Sequence, residues 1–146
     1  MNAMIREAGL KDLEEMIDLL HQLSPPGKGG EPDYQKVKRA FIEISRNKDY
    51  YLYVYEHERR LVAAGTLLIQ LNLSHNARPY GHLENVITHR DFRGNGFGGQ
   101  IVKHLTEIAR ERDCYKVVLN CKGKNAPFYE KCGYQRTINR EMRINL

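Results

Sequence analysis

The residues Arg93-Gly94-Asn95-Gly96-Phe97-Gly98-Gly99 set four glycines and an arginine between a strand-like run and a helix-like run. Glycine lets main-chain N–H groups approach a bulky polyanion with no Cβ in the way. A helix starting there adds its unpaired first-turn donors and the positive end of its dipole. The pattern points to a diphosphate-bearing ligand; a glycine-rich turn ahead of an ordinary surface helix is the plainer alternative. Gly94-x-Gly96-x-x-Gly99 also has the form of a dinucleotide fingerprint. That fold needs several βαβ units around the glycine turn, whereas the chain before it reads mostly as an antiparallel meander, and Asn120 stands where a ribose-binding carboxylate belongs. A P-loop is excluded, because Gly123-Lys124 is followed by asparagine.

Composition narrows the classes further. A chain of 146 residues suits one domain, residues 1–146, and its 28% charged and 41% hydrophobic content suits a globular protein. No apolar run approaches the roughly 20 residues of a membrane span, and the start lacks an apolar signal region, so a cytoplasmic protein with no membrane partner is expected. Cys114, Cys121 and Cys132 are odd in number and form no C-x-x-C pair, and the six histidines are dispersed, so no metal is expected. The net charge of +5 favours anionic ligands. Its basic residues are scattered rather than massed, which argues against nucleic acid.

The elements that must position the glycine segment follow from periodicity. Met4–Ala8 reads as a strand. Leu10, Leu13, Met16, Ile17, Leu20 and Leu23 mark a helix that Asp12 can cap, ended by Ser24-Pro25-Pro26-Gly27 and a loop to Pro32. Val37, Ala40, Phe41 and Ile44 mark a second helix stopping near Asn47. Tyr50–Tyr55 and Leu61–Leu73 read as strands joined by a hairpin at His57–Arg60, and Gly81–Thr88 as the strand that leads into the glycines. Ile101, Leu105, Ile108 and Ala109 then give a helix its buried face. A strand at Tyr115–Cys121, a short helix at Asn125–Cys132 with Gly133 as its left-handed stop, and strands at Tyr134–Ile138 and Glu141–Ile144 complete the order β-α-α-β-β-β-α-β-α-β-β.

Arg93-Gly94-Asn95-Gly96-Phe97-Gly98 resembles the R/Q-x-x-G-x-G/A hallmark of the GNAT N-acetyltransferases. Leu83–Phe92 is similar to that family's fourth strand. Asn125-Ala126-Pro127-Phe128-Tyr129-Glu130-Lys131-Cys132-Gly133-Tyr134 is similar to its late N-x-x-x-Y-x-x-x-G-F/Y element. Within the superfamily, Cys114–Leu119 and Phe128–Gly133 resemble glucosamine-6-phosphate N-acetyltransferases. Those enzymes usually carry acidic residues where Asn85 and Asn120 stand, and neutral amides would treat a cationic amine and sugar hydroxyls differently.

The resemblance implies an α/β (α+β) fold: a mixed central sheet of six to seven strands with about four helices, splayed between the fourth and fifth strands. It implies acetyl-coenzyme A as co-substrate and transfer of its acetyl group to the primary amine of a small molecule, with an amino sugar phosphate as one acceptor class. A non-catalytic acetyl-coenzyme A sensor and a protein-amine acetyltransferase are the alternatives. By the same resemblance, the amides of Gly94, Gly96, Gly98 and Gly99 hold the pyrophosphate and Arg93 adds charge, a solvated surface arginine being its other reading. Val86, Ile87 and Thr88 offer edge groups to the pantetheine arm, with Asn125, Phe128 and Tyr129 completing the cofactor wall. Tyr129 serves the departing thiolate, and Glu84 takes the amine proton through water. Glu84, Asn85 and Asn120 face the acceptor. Homodimerisation is a habit of the family.

Overall fold

The computed structural model describes residues 3–27 and 30–146; the expected loop at 24–32 includes Lys28 and Gly29, which lie outside that set. One sheet runs in the order β1 (Ala3–Glu7), β2 (Tyr50–His57), β3 (Arg60–Gln70), β4 (Tyr80–Thr88), β5 (Val117–Val118). The first three pairings are antiparallel and the last is parallel, as a crossover through a helix requires. The helices are α1 (Leu13–Leu23), α2 (Tyr34–Arg46), the single turn α3 (Ser74–Ala77), α4 (Phe97–Glu111) and α5 (Ala126–Lys131). The α/β class is as expected, with five strands among the described residues in place of six to seven and five helices in place of about four.

Each sheet face carries its own core. Tyr55, Leu67, Ile69 and Leu83 bury against Ile101, Val102, Leu105 and Ala109 of α4. On the opposite face Val54, Leu61, Ala64 and Ile87 meet Leu13, Met16 and Leu19 of α1 and Phe41 of α2. Each such buried aliphatic side chain is worth about 1.5–3 kcal/mol. Gly65 sets how closely α4 lies on β3, since a Cβ there would stand 2.8 Å from Ile101 Cγ2 and 3.1 Å from Leu105 Cδ1. The tyrosine run belongs to this packing: Tyr53 lies against His104, Tyr55 against Phe97, and the Tyr51 hydroxyl accepts from Arg112 at 2.6 Å.

Several boundaries differ from the periodic reading. Asp12 does not cap α1 with its side chain; the carboxylate turns back to accept from Gly9 N at 2.7 Å and from Arg6 at 2.7 and 2.9 Å, tying β1 to the turn before α1. α2 starts at Tyr34 because Asp33 caps it, accepting from Lys36 N at 3.1 Å. The hairpin turns on Glu58 and Arg59, at φ 50° and 65°, the doubly left-handed geometry that suits the twist of two joined strands. β3 stops at Gln70, leaving Leu71 and Leu73 exposed. β5 keeps only two of its seven expected residues because the chain parts from β4 after Val118.

The strands expected at 134–138 and 141–144 do not form, and Ile138 is 97% and Met142 93% exposed. A strand needs an edge to pair with, and β5 presents only two residues of one.

Candidate active site

The site begins with a break in the sheet. β4 pairs with β5 only through Gly81–Val117 and His82–Val118, so from Leu83 onward its outer edge has no strand partner among the described residues. The same stretch carries a bulge. Thr66 pairs with Glu84 and Ala64 with Ile87, so Asn85 and Val86 together oppose Gly65 alone. Asn85 takes the left-handed conformation, φ 51°, which asparagine adopts more readily than most residues. Downstream of the bulge Val86 and Thr88 face α4 while Ile87 joins the α1 core.

The loop after β4 is pinned in place before the glycines arrive. His89 N donates to Val62 O at 2.8 Å, Arg90 N to Gln22 Oε1 at 2.9 Å, and Asp91 N to His89 Nδ1 at 3.1 Å. Arg93 folds back so that Nε donates to Thr88 O at 3.3 Å, and Asn95 Nδ2 donates to Phe92 O at 2.9 Å. Gly94 and Gly96 then sit at φ 85° and 82°, where an L side chain is strained. α4 starts one residue later, and the first amide with an intrahelical acceptor is that of Gln100, bonded to Gly96 O at 3.1 Å. The N–H groups of Phe97, Gly98 and Gly99 precede it and have no acceptor within the helix.

Gly98 fixes how tightly this end docks. A Cβ there would stand 2.5 Å from Thr88 Oγ1 and 3.4 Å from Phe128 Cζ. At Gly99 the nearest atom to a Cβ would be Cys132 Sγ at 3.9 Å, ordinary contact. Thr88, Gly98 and Phe128 therefore converge on one point: the end of β4, the start of α4 and the start of α5. Open left-handed glycines, acceptor-free amides and a backbone approach that excludes Cβ are together what a diphosphate needs. The residues present fit the nucleotide end of coenzyme A.

α5 supplies the other wall. Pro127 lies in its first turn, and Gly133, φ 96°, ends it in the left-handed conformation expected. Asn125 holds the N-cap position but its side chain makes no capping bond: the residue closes the preceding turn Gly123–Asn125 and already has helical backbone angles. Tyr129 is half-buried against the α4 core, edge-on to Phe128 at 4.8 Å. Burial pushes its phenol up to about 12, with Cys121, Cys132, Tyr134 and the Glu84 carboxylate adding to the rise. Tyr134 closes the back through a 2.7 Å hydroxyl pair with Thr106 of α4.

Glu84 and Asn85 are exposed where β4 runs on past its pairing with β5, and Asn120 is exposed beyond the last paired residue of β5. Sequence reasoning named Asn85 but not the bulge it makes; an asparagine inside a run of strand formers is the signal. Nothing in spacing alone revealed the contact between Thr88 and Gly98. Among the described residues no three His, Cys, Asp or Glu gather as a metal site, and no helix is long and apolar enough to cross a membrane.

Residues 13–134 match the acetyltransferase (GNAT) family, and the chain belongs to it. Among its relatives, glucosamine 6-phosphate N-acetyltransferase of Trypanosoma brucei brucei is 34% identical over 138 residues, 92% of this chain and 90% of that one. The Arabidopsis thaliana protein of the same name is 34% identical over 88% of this chain and 87% of its own. A crystal structure of glucosamine-6-phosphate N-acetyltransferase from Arabidopsis thaliana superposes with a TM-score of 0.89 at 30% identity, covering 99% of each chain.

Proposed function

We propose that the protein moves the acetyl group of acetyl-coenzyme A to the primary amine of a small amino sugar phosphate, by direct attack in a ternary complex. The observation that carries this reading is the start of α4 pressed by Gly98 onto Thr88 at the mouth of a parted β4 and β5. The names of the relatives support the acceptor class.

Acetyl-coenzyme A supplies an activated acetyl group as a thioester. The amides of Gly94 to Gly99 hold its diphosphate, with Arg93 at the rim, and Asn125 and Phe128 border the arm. The unpaired edge of β4 at Val86, Ile87 and Thr88 hydrogen-bonds the pantetheine amides as an added strand would, and an N–H there stabilises charge as it develops on the carbonyl oxygen. Glu84 accepts the amine proton, through water. Tyr129 donates a hydrogen bond to the departing sulfur. With its phenol up at about 12, it keeps its proton throughout the physiological range. Asn85 and Asn120 meet the acceptor's hydroxyls as neutral partners.

Residues 1–146 act as one domain, since a single sheet carries both cores. The three cysteines are free, as a reducing cytoplasm would keep them. A second copy of the chain covers the exposed Ile138, Met142, Ile144 and Leu146, making a homodimer that light scattering would detect. The test of function is thiol release from acetyl-coenzyme A with glucosamine 6-phosphate as acceptor. Turnover well above that with glucosamine is expected; no release with any small primary amine would refute acetyl transfer.

A further inference from the structure

Little holds α5 in place. It is six residues long, its first turn has no side-chain cap, and among the described residues no strand follows it. A helix so short is unstable by itself in water, so whatever fixes its position also fixes Tyr129. Among the described residues, the one hydrogen bond from residues 126–134 to α4 or to the sheet joins Tyr134 Oη to Thr106 Oγ1, 2.7 Å apart.

The end of α5 ties that anchor to Tyr129. Gly133, at φ 96°, turns the chain back on the helix. Its N donates to Glu130 O at 3.0 Å and Tyr134 N donates to Tyr129 O at 3.1 Å, the nested pair of bonds that closes a left-handed helix stop. The returning Tyr134 ring packs edge-on to Tyr129, centroids 6.3 Å apart and planes at 74°, and Phe128 packs on the same ring at 4.8 Å. The Tyr129 hydroxyl has no hydrogen-bond partner among the described residues, so the packing of its ring sets its aim. Thr106 in turn sets where Tyr134 stands. Its hydroxyl donates to Val102 O, one turn back on α4, at 2.7 Å; with its single proton committed there, it accepts from Tyr134. The Thr106 hydroxyl, the Tyr134 ring and the Tyr129 ring form one connected line.

We infer that Thr106 is a positioning residue for acetyl transfer: through Tyr134 it holds Tyr129 at the angle from which the phenol meets the departing sulfur. This rests on the acetyl-transfer reading for the part Tyr129 plays. Two rings stand between Thr106 and the sulfur, so its effect reaches the chemistry only through them. A merely structural threonine would matter equally whatever stood at position 129. A positioning threonine acts on kcat and needs the Tyr129 hydroxyl.

Thr106→Val keeps the β-branched shape and removes the acceptor, whereas Thr106→Ser keeps the hydroxyl. With glucosamine 6-phosphate as acceptor, Thr106→Val is expected to lower kcat about three- to tenfold, the scale of one neutral hydrogen bond, with the KM for acetyl-coenzyme A within about twofold. Thr106→Ser should restore kcat to within about twofold of wild type. In a Tyr129→Phe background, Thr106→Val should change kcat by less than about 1.5-fold, because no hydroxyl is left to aim. Undiminished kcat in Thr106→Val, no recovery with serine, or the same loss in the Tyr129→Phe background overturns the inference. A second readout needs no turnover. The ring resonances of Tyr129, assigned by their loss in Tyr129→Phe, are followed by NMR with coenzyme A present. They should shift or broaden in Thr106→Val and Tyr134→Phe and return in Thr106→Ser; resonances indifferent to Thr106 overturn the inference as well. If they respond as expected but no thiol is released with any amine, the hold of Thr106 on Tyr129 stands and the acetyl-transfer reading fails.

Discussion

Replacing Gly98 by alanine adds one methyl at the point where β4, α4 and α5 converge. The new carbon would stand 2.5 Å from Thr88 Oγ1 and 3.4 Å from Phe128 Cζ, well inside normal contact on the first count. Threonine is β-branched and stiff at χ1, and Phe128 backs the other side, so the start of α4 must lift by several tenths of an ångström. Overpacking of this kind costs about 1–3 kcal/mol, offset by up to ~1 kcal/mol from alanine's better helix propensity. A net loss of ~1–2 kcal/mol lowers Tm by roughly 3–8 °C in a domain of this size. Because the displaced atoms include the Gly98 and Gly99 amides, coenzyme A affinity should fall at least tenfold by calorimetry. Gly99→Ala is the internal control: its methyl meets only Cys132 Sγ at 3.9 Å, so Tm should hold or rise slightly. If Gly98→Ala binds coenzyme A like wild type and melts with it, the close docking of α4 on β4 does not shape the cradle.

Tyr129→Phe should lower kcat by about 10–10³-fold while leaving coenzyme A affinity within twofold; unchanged turnover would remove the hydroxyl from the mechanism. The same residue predicts alkaline behaviour. Its phenol is raised from 10.0 to about 12 in the folded protein, so its contribution to stability is complete below pH 10 and is lost as pH rises toward 12. Tyr129→Phe should flatten that part of the stability curve, as read by urea titration, and an unaltered curve would contradict the assignment. Asp12, only 6% exposed, is held below its usual range by the bidentate hydrogen bond from Arg6. Its stabilisation is present above about pH 3.8 and is lost as pH falls below that value. Arg6→Met leaves a buried carboxylate uncompensated and should cost about 3 kcal/mol at pH 7, with a much smaller penalty at pH 3; equal penalties at both would refute the pairing.

The parts of this fold that were legible in the sequence are those where one local signal suffices. Gly133 announces the left-handed stop of α5, and the stripe Ile101, Leu105, Ile108, Ala109 announces the buried face of a helix. Polar residues at helix ends read less surely where two partners compete. Asp12, expected to cap α1, is drawn away by Arg6 and Gly9, whereas in the structure Asp33 caps α2 with no such competitor. What needed three dimensions is whatever depends on a neighbouring strand. Tyr115–Cys121 has strand composition throughout, yet only Val117 and Val118 find β4, and the alternation of the final residues finds no edge among the described residues. The bulge at Asn85 and the strained turn at His75–Ala77 are settled by cross-strand register and ring stacking, which spacing does not encode.

The most direct test of the central claim is a crystal structure of the protein with coenzyme A bound. The account predicts the diphosphate oxygens within hydrogen-bond distance of the main-chain nitrogens between Gly94 and Gly99, with the thiol directed between β4 and β5 toward Tyr129. A nucleotide seated on another surface, or a diphosphate held by side chains alone while those amides face solvent, would contradict it.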